Sequence, residues 1–386
     1  MKLAARITNL PPYVFASMGK RIAERRARGD NVINFGMGDP DVPMPENLVD
    51  AVCNAAHDPR THRYPNYFGL PELRQAMSGW YCRRFGVELN PDTQVLPLIG
   101  SKEGIAHAAL AFCDPGDHAL VPNPGYPVYR YGTLLANGVV TEMPLLEENG
   151  FLPDFAQLER TLPDRARVMW LNYPNNPTGA VAGLDFFERA VAFAQRHDLI
   201  IAHDNPYSEI AYDEYRAPSI LQVPGAREVA VEFHSLSKTY SMAGLRIGMV
   251  VGNAQVVEAL GRVKSNVDSG VPGIAQEAAI TALTEDQRWI QERNKIYERR
   301  RDRLVPALNA AGIAAPLPRA SLYIWARTPA GLSSAAFADR LLDEAAIVVT
   351  PGPSFGSCGQ GYVRMSLTVP DADVEEAVAR LQKLRF

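Results

Sequence analysis

Between residues 95 and 252, short continuously apolar runs alternate with longer segments whose apolar positions recur at helical spacing. "VLPLIG" (95–100) precedes the helical "KEGIAHAALAFC", and "HALVP" and "VVTEMPL" follow. "RVMWLNYP" (167–174) leads through a turn into "DFFERAVAFAQRHD", apolar at helical spacing. "LIIAHDNP" (199–206), "VAVEFHSLS" (229–237) and "RIGMVVG" (246–252) complete the set. Continuous apolar runs between amphipathic helices predict a mostly parallel sheet covered on both faces, an α/β architecture.

The character shifts beyond residue 253. Residues 285–312 read as one long charged helix. A smaller α+β unit follows, with strands "SLYIWAR" and "YVRMSLTV" and a last helix "VEEAVARLQKLRF". The first 47 residues read as irregular and rich in Gly and Pro, and we assign them to the smaller unit. The expected division is a large domain over residues 48–285 and a small domain over residues 1–47 and 286–386.

Composition narrows the classes. At 386 residues and 47% hydrophobic the chain can bury a large core. A net charge of −4 suggests neither a nucleic-acid nor a membrane surface. Cys53, Cys82, Cys113 and Cys358 form no C-x-x-C pair, as expected of reduced thiols in the cytoplasm. No N-terminal apolar run resembles a signal peptide, and no stretch approaches the ~20 apolar residues that span a bilayer. The seven histidines show no metal spacing, so no metal is expected.

Open parallel sheets bind ligands at the carboxyl ends of their strands. After the first strand, Gly100 and Ser101 turn the chain and Lys102 starts a helix, which suits a phosphate or a plain N-cap. "NYPNNPTGA" (172–180) makes a rigid turn presenting Asn176, whose amide both donates and accepts. Asp204 ends an apolar run in "AHDNPYSEI"; buried and charged it needs a partner such as a protonated ring nitrogen, and otherwise it caps a turn. Tyr207 lies three residues on, and His203 reads as a packing histidine. In "FHSLSKTYSMAGLRIG", Lys238 follows Ser235 and Ser237 and precedes Arg246 by eight residues. A buried lysine amine is a nucleophile, and the serines and arginine are phosphate donors. Arg364 lies inside the strand "YVRMSLTV", where it either clamps a carboxylate or bridges a sheet edge.

Together these residues resemble the class I/II aminotransferases, pyridoxal phosphate enzymes of fold type I, over nearly the whole chain. "NPTG", "D-x-x-Y" and "S-x-S-K" with the later arginine are jointly specific. "NPGYPVYRYGTLLANG", "EENGFLPD", "GSKEGIAH" and "KSNVDSG" are similar to the branch of LL-diaminopimelate and glutamate–pyruvate (alanine) aminotransferases, and "NLPPYVF" is closer to the alanine-using members. The resemblance implies that Lys238 forms a Schiff base with pyridoxal 5'-phosphate and later carries a proton. It implies that Asp204 pairs with the pyridine nitrogen, that Tyr207 and Asn176 bond the phenolic oxygen, and that Tyr126 stacks on the ring. Ser101, Lys102, Ser235, Ser237 and Arg246 would form the phosphate cup. Tyr64 would reach the neighbouring subunit's phosphate in a homodimer with composite sites. Arg364 would hold the substrate α-carboxylate with Gly38 and Asn176, and Tyr67 would line the pocket. Leu245, where relatives commonly carry Trp, and Asn205-Pro206, in place of small apolar residues, leave side-chain specificity open.

The implied activity is reversible transamination between an amino acid (LL-diaminopimelate, alanine or aspartate) and a 2-oxo acid, with glutamate/2-oxoglutarate as the shared pair. A β-lyase or another Cα-carbanion enzyme shares the same lysine. A cofactor-sensing regulator needs a DNA-binding extension that this sequence lacks.

Overall fold

The computed structural model describes residues 3–8, 10, 11 and 14–386. The strands run in chain order β1 Ile33–Asn34, β2 Val95–Leu98, β3 His118–Asn123, β4 Val139–Pro144, β5 Ala166–Asn172, β6 Ile200–Asp204, β7 Ala230–Ser235 and β8 Gly248–Gly252. Then come β9 Tyr323–Arg327, β10 Ile347–Val348, β11 Thr350–Pro351 and β12 Tyr362–Ser366. A seven-stranded sheet has the order β2-β8-β7-β6-β5-β3-β4. Strand β8 is antiparallel to both neighbours, and the other pairings are parallel. The α/β expectation therefore holds.

Each face of this sheet has its own apolar layer. Helix Leu184–His197 shows why these sequences fold so. It buries Phe186, Phe187, Ala190, Val191, Phe193 and Ala194 on one face, and Asp198 ends it in the left-handed region at φ 52°. Each buried phenylalanine contributes about 1.5–3 kcal/mol. The turns after β5, β6 and β7 open on one edge of the sheet, so Asn172, Asp204 and Ser235 end adjacent strands.

A three-stranded antiparallel sheet, β11-β12-β9, pairs Arg364 with Thr350 and Trp325. Its apolar cluster includes Ile33, Phe35, Leu304, Leu308, Ile324 and Phe337. Helix Arg288–Ala310 links the two regions: Ile290 packs in the large-sheet core and Leu304 in the small one.

The N-terminal segment corrects one expectation. Residues Val14–Ala27 are helical, not irregular. Its Ala, Met, Lys, Arg and Glu are good helix formers, which outweigh the roughly 1 kcal/mol cost of Gly19. Glycine and proline gather instead after residue 28. Ile22 and Val32 pack with Leu342 and Val348, and Arg21 bonds Asp339 at 2.6 Å. Of the "NLPPYVF" segment, Asn9, Pro12 and Tyr13 lie outside the described residues.

Candidate active site

Ser235 ends β7 and caps the single helical turn Leu236–Thr239, its Oγ accepting from Ser237 N at 3.3 Å. That turn carries Lys238, whose Nζ donates to Gly38 O at 2.7 Å. Burial holds the Lys238 amine below the usual lysine range, with Arg364 and Arg246 adding to the shift and Tyr323 and Asp39 opposing it. A side chain at residue 38 would displace the Tyr323 ring, which glycine leaves in place.

Asp204 ends β6 and is 3% exposed. Tyr129 OH donates to its Oδ2 at 2.7 Å, while its Oδ1 is buried with no partner among the described residues. Burial pushes its pKa up to about 7, and the bond from Tyr129 only partly offsets this. Tyr129 is itself clamped, stacked on Trp170 with ring centroids 5.2 Å apart and edge-on to Tyr126 at 5.9 Å.

Arg364 is buried on β12. Its Nη1 donates to Asn176 Oδ1 and its Nη2 to Gly36 O, both at 2.8 Å. Its guanidinium lies between the rings of Tyr323 and Phe355, 4.2 and 4.6 Å from their centroids. Asn176 is held in turn by its backbone N–H, which donates to Asn172 Oδ1 at 2.8 Å. Tyr207 OH and Tyr323 OH share a 3.0 Å hydrogen bond, and burial raises the Tyr207 pKa well above its ordinary value.

Ser101 begins the helix Ser101–Phe112 directly after Gly100, whose φ is +79°. A Cβ at Gly100 would sit 2.5 Å from Arg246 Nη2, and one at Gly248 would sit 2.9 Å from Ser101 N. The glycines thus let the Ser101 turn, β8 and the Arg246 guanidinium converge beside the Lys238 turn. Arg246 adopts φ 53° two residues before β8 rather than opening the strand. Lys102 Nζ lies 5.9 Å from the Tyr126 ring centroid.

Tyr64 and Tyr67 are 90% and 47% exposed within one chain. Leu245 packs against the large-sheet core, and Asn205 is fully buried with its N–H on Phe233 O at 2.8 Å. Glu103, His107 and Asp268 come within ligating distance of one another, but Lys264 Nζ already bonds both Asp268 oxygens at 2.9 and 3.0 Å.

Sequence reasoning missed Tyr129, Tyr323 and Asn172. Tyr129 lies in the first turn of the helix Pro127–Leu135, which Tyr126 precedes as N-cap. Tyr323 is the diagonal cross-strand neighbour of Arg364, legible only once the register is known. Asn172 opens the "NYPNNPTGA" motif.

The site is that of a transferase acting on amino acids: the profile of the family "Aminotransferase class I and II" matches residues 30–381, and the chain belongs to that family. It is a pyridoxal-phosphate-dependent aminotransferase. It is 56% identical over 385 residues to an LL-diaminopimelate aminotransferase of Dehalococcoides mccartyi, covering 100% of this chain and 99% of that one. It is 50% identical to the LL-diaminopimelate aminotransferase of Moorella thermoacetica, covering 100% and 98%. Among solved structures it is similar to substrate-bound BacF from Bacillus subtilis, with TM-score 0.95, 37% identity and coverage of 99% and 98%.

The residues fit the cofactor. Among the described residues the buried Asp204 Oδ1 lacks a donor, and a protonated ring nitrogen is such a donor. The lowered Lys238 amine suits an aldehyde.

Proposed function

We propose that this enzyme transfers the amino group of LL-diaminopimelate to 2-oxoglutarate. The observation that carries the reading is the 50–56% identity, over nearly the full length of each chain, to LL-diaminopimelate aminotransferases.

Pyridoxal phosphate supplies an electron sink for the substrate Cα when bound. The roles of this chain's residues follow. Lys238 would hold the cofactor's aldehyde carbon and would move the substrate Cα proton, burial lowering the pKa of its amine. Asp204 would hold the ring-nitrogen proton through Oδ1, with Tyr129 fixing the other oxygen. Asn176 and Tyr207 would hold the phenolic oxygen, and Tyr126 would cover the ring. Ser101, Lys102, Ser235, Ser237 and Arg246 would hold the phosphate. Arg364 orients the α-carboxylate, with Asn176 and Gly38 beside it and the rings of Tyr323 and Phe355 fixing its plane.

The functional unit in this reading is a cytoplasmic homodimer. The exposed aromatics Tyr64, Tyr67 and Phe68 support it, since a partner subunit would cover them and Tyr64 would complete the partner's phosphate site. Four free cysteines support a reducing compartment. We assign residues 48–285 to the cofactor-binding domain and residues 1–47 with 286–386 to the small one, a division supported by the joint packing of Ile33, Phe35 and Leu304.

The test is a donor series. LL-diaminopimelate, glutamate, alanine and aspartate are each mixed with the cofactor-loaded enzyme, and loss of the lysine-linked cofactor absorbance is followed. LL-diaminopimelate and glutamate should each convert it, with ping-pong kinetics. Conversion by alanine or aspartate but not by LL-diaminopimelate overturns the substrate assignment.

A further inference from the structure

Arg293 is 1% exposed in the helix Arg288–Ala310, and no role in binding or chemistry has been given to it. Its Nη1 donates to Lys238 O at 2.7 Å and to Thr239 O. Its Nη2 donates to Glu209 O at 2.9 Å and to Asn294 Oδ1 at 2.8 Å. Asn294 Nδ2 donates to the same Glu209 carbonyl at 2.9 Å. Among the described residues no carboxylate bonds this guanidinium; the Trp289 ring lies 5.3 Å away.

A buried cation without a counter-ion costs several kcal/mol in desolvation. Here carbonyl dipoles offset that cost, and two of them end a single helical turn whose last carbonyls have no intrahelical partner. The geometry is selective. One planar fork grips the backbone of Lys238 itself and, on its other arm, the loop two residues beyond Tyr207. It does so from a helix seated in the large-sheet core at Ile290 and in the small-sheet core at Leu304 and Leu308.

We propose that Arg293 is a positioning residue. It fixes the Lys238 turn in register with the Asp204–Tyr207 segment and ties that register to the seat of the helix that reaches the Arg364 sheet.

This rests on Lys238 being the residue that holds the cofactor. Protection of Lys238 by added pyridoxal phosphate in the wild type tests that separately. The test of Arg293 compares wild type with Arg293→Gln, Arg293→Lys and Asn294→Ala. In cofactor-free protein, Lys238 is labelled with an acylating reagent at one pH and quantified by peptide mass spectrometry; kcat and KM are then measured on the loaded enzyme. Arg293→Gln should label about fivefold faster as the turn loosens. Its kcat should fall by about 10–100-fold while the donor KM stays within about twofold. Arg293→Lys should recover part of both, because an ammonium keeps the charge but not the fork. Asn294→Ala should move both in the same direction by roughly two- to threefold. If Arg293→Gln does not fold, the other two variants decide. A folded Arg293 variant with wild-type labelling and kcat overturns the proposal. So does Asn294→Ala with no change, should neither Arg293 variant fold.

Discussion

His203 and Asp204 are consecutive residues of one strand, both fully or almost fully buried, and the sheet places them on opposite faces. On the His203 face the buried carboxylate of Glu232 is bonded through both oxygens. Glu232 accepts from Tyr81 OH at 2.8 Å, bonds His203 Nδ1 at 2.7 Å and His234 Nε2 at 2.9 Å, and accepts Ile220 N at 3.0 Å. His203 Nε2 closes on Tyr173 O at 3.1 Å. Burial alone would raise the Glu232 carboxyl, but the bonds to the two histidines more than offset it and hold it well below the usual range. On the Asp204 face one carboxylate oxygen is bonded and the other has no partner among the described residues, and burial wins. A closed network fixes structure, whereas the open Asp204 oxygen can still accept a donor.

Lys238→Ala tests the open face most severely. It should abolish turnover and the lysine-linked cofactor absorbance with little change in the melting temperature of the cofactor-free protein. Transamination surviving in this variant removes Lys238 from the chemistry.

Glu232→Ala should do the reverse. It leaves two histidines, a tyrosine and a backbone N–H short of their acceptor, and should cost about 3–5 kcal/mol in denaturant-monitored stability. The kcat of the enzyme that remains folded should stay close to wild type. A kcat loss without a stability loss would erase the contrast between the faces.

Asp204→Asn should retain some cofactor and lower kcat by about 10²–10³-fold. Its stability carries a pH signature. The folded pKa of about 7 lies above the unfolded value of about 3.9, so stability from the held proton is fully present below about pH 3.9 and lost as pH rises through about 7. Melting of the cofactor-free wild type should therefore drop between about pH 4 and pH 7 more than melting of Asp204→Asn. Equal drops would show that Asp204 does not titrate there.

Arg364→Ala should raise the KM for α-carboxylate donors, lowering kcat/KM by about 100-fold, while equilibrium binding of pyridoxal phosphate changes far less. Equal losses in both would place Arg364 with the cofactor instead.

Tyr129→Phe is the finest cut. It removes the one hydrogen bond offsetting Asp204 burial, a loss of about 1 kcal/mol. The pH-dependent drop in stability should extend to higher pH, and kcat should fall by roughly fivefold. An unchanged melting profile would mean that the 2.7 Å contact contributes nothing.

The sequence by itself determined the fold class, because runs apolar on both faces fit only a helix-covered sheet and the helical spacings between them supply the cover. It also located the turns at which the candidate site residues gather, since Asn176, Asp204, Ser235 and Lys238 each sit where an apolar run stops. It misread residues 14–27, where local composition favours a helix but the nearby glycines and prolines suggested none. Strand alternation told only that residues 203 and 204 face opposite ways. Which of them would be satisfied was decided by tertiary structure. Glu232 and His203 are paired across β6 and β7, whereas Asp204 is met from a helix 75 residues earlier by Tyr129. Those partners are set by strand order and helix seating, which bring together residues far apart in the chain; no local pattern encodes them.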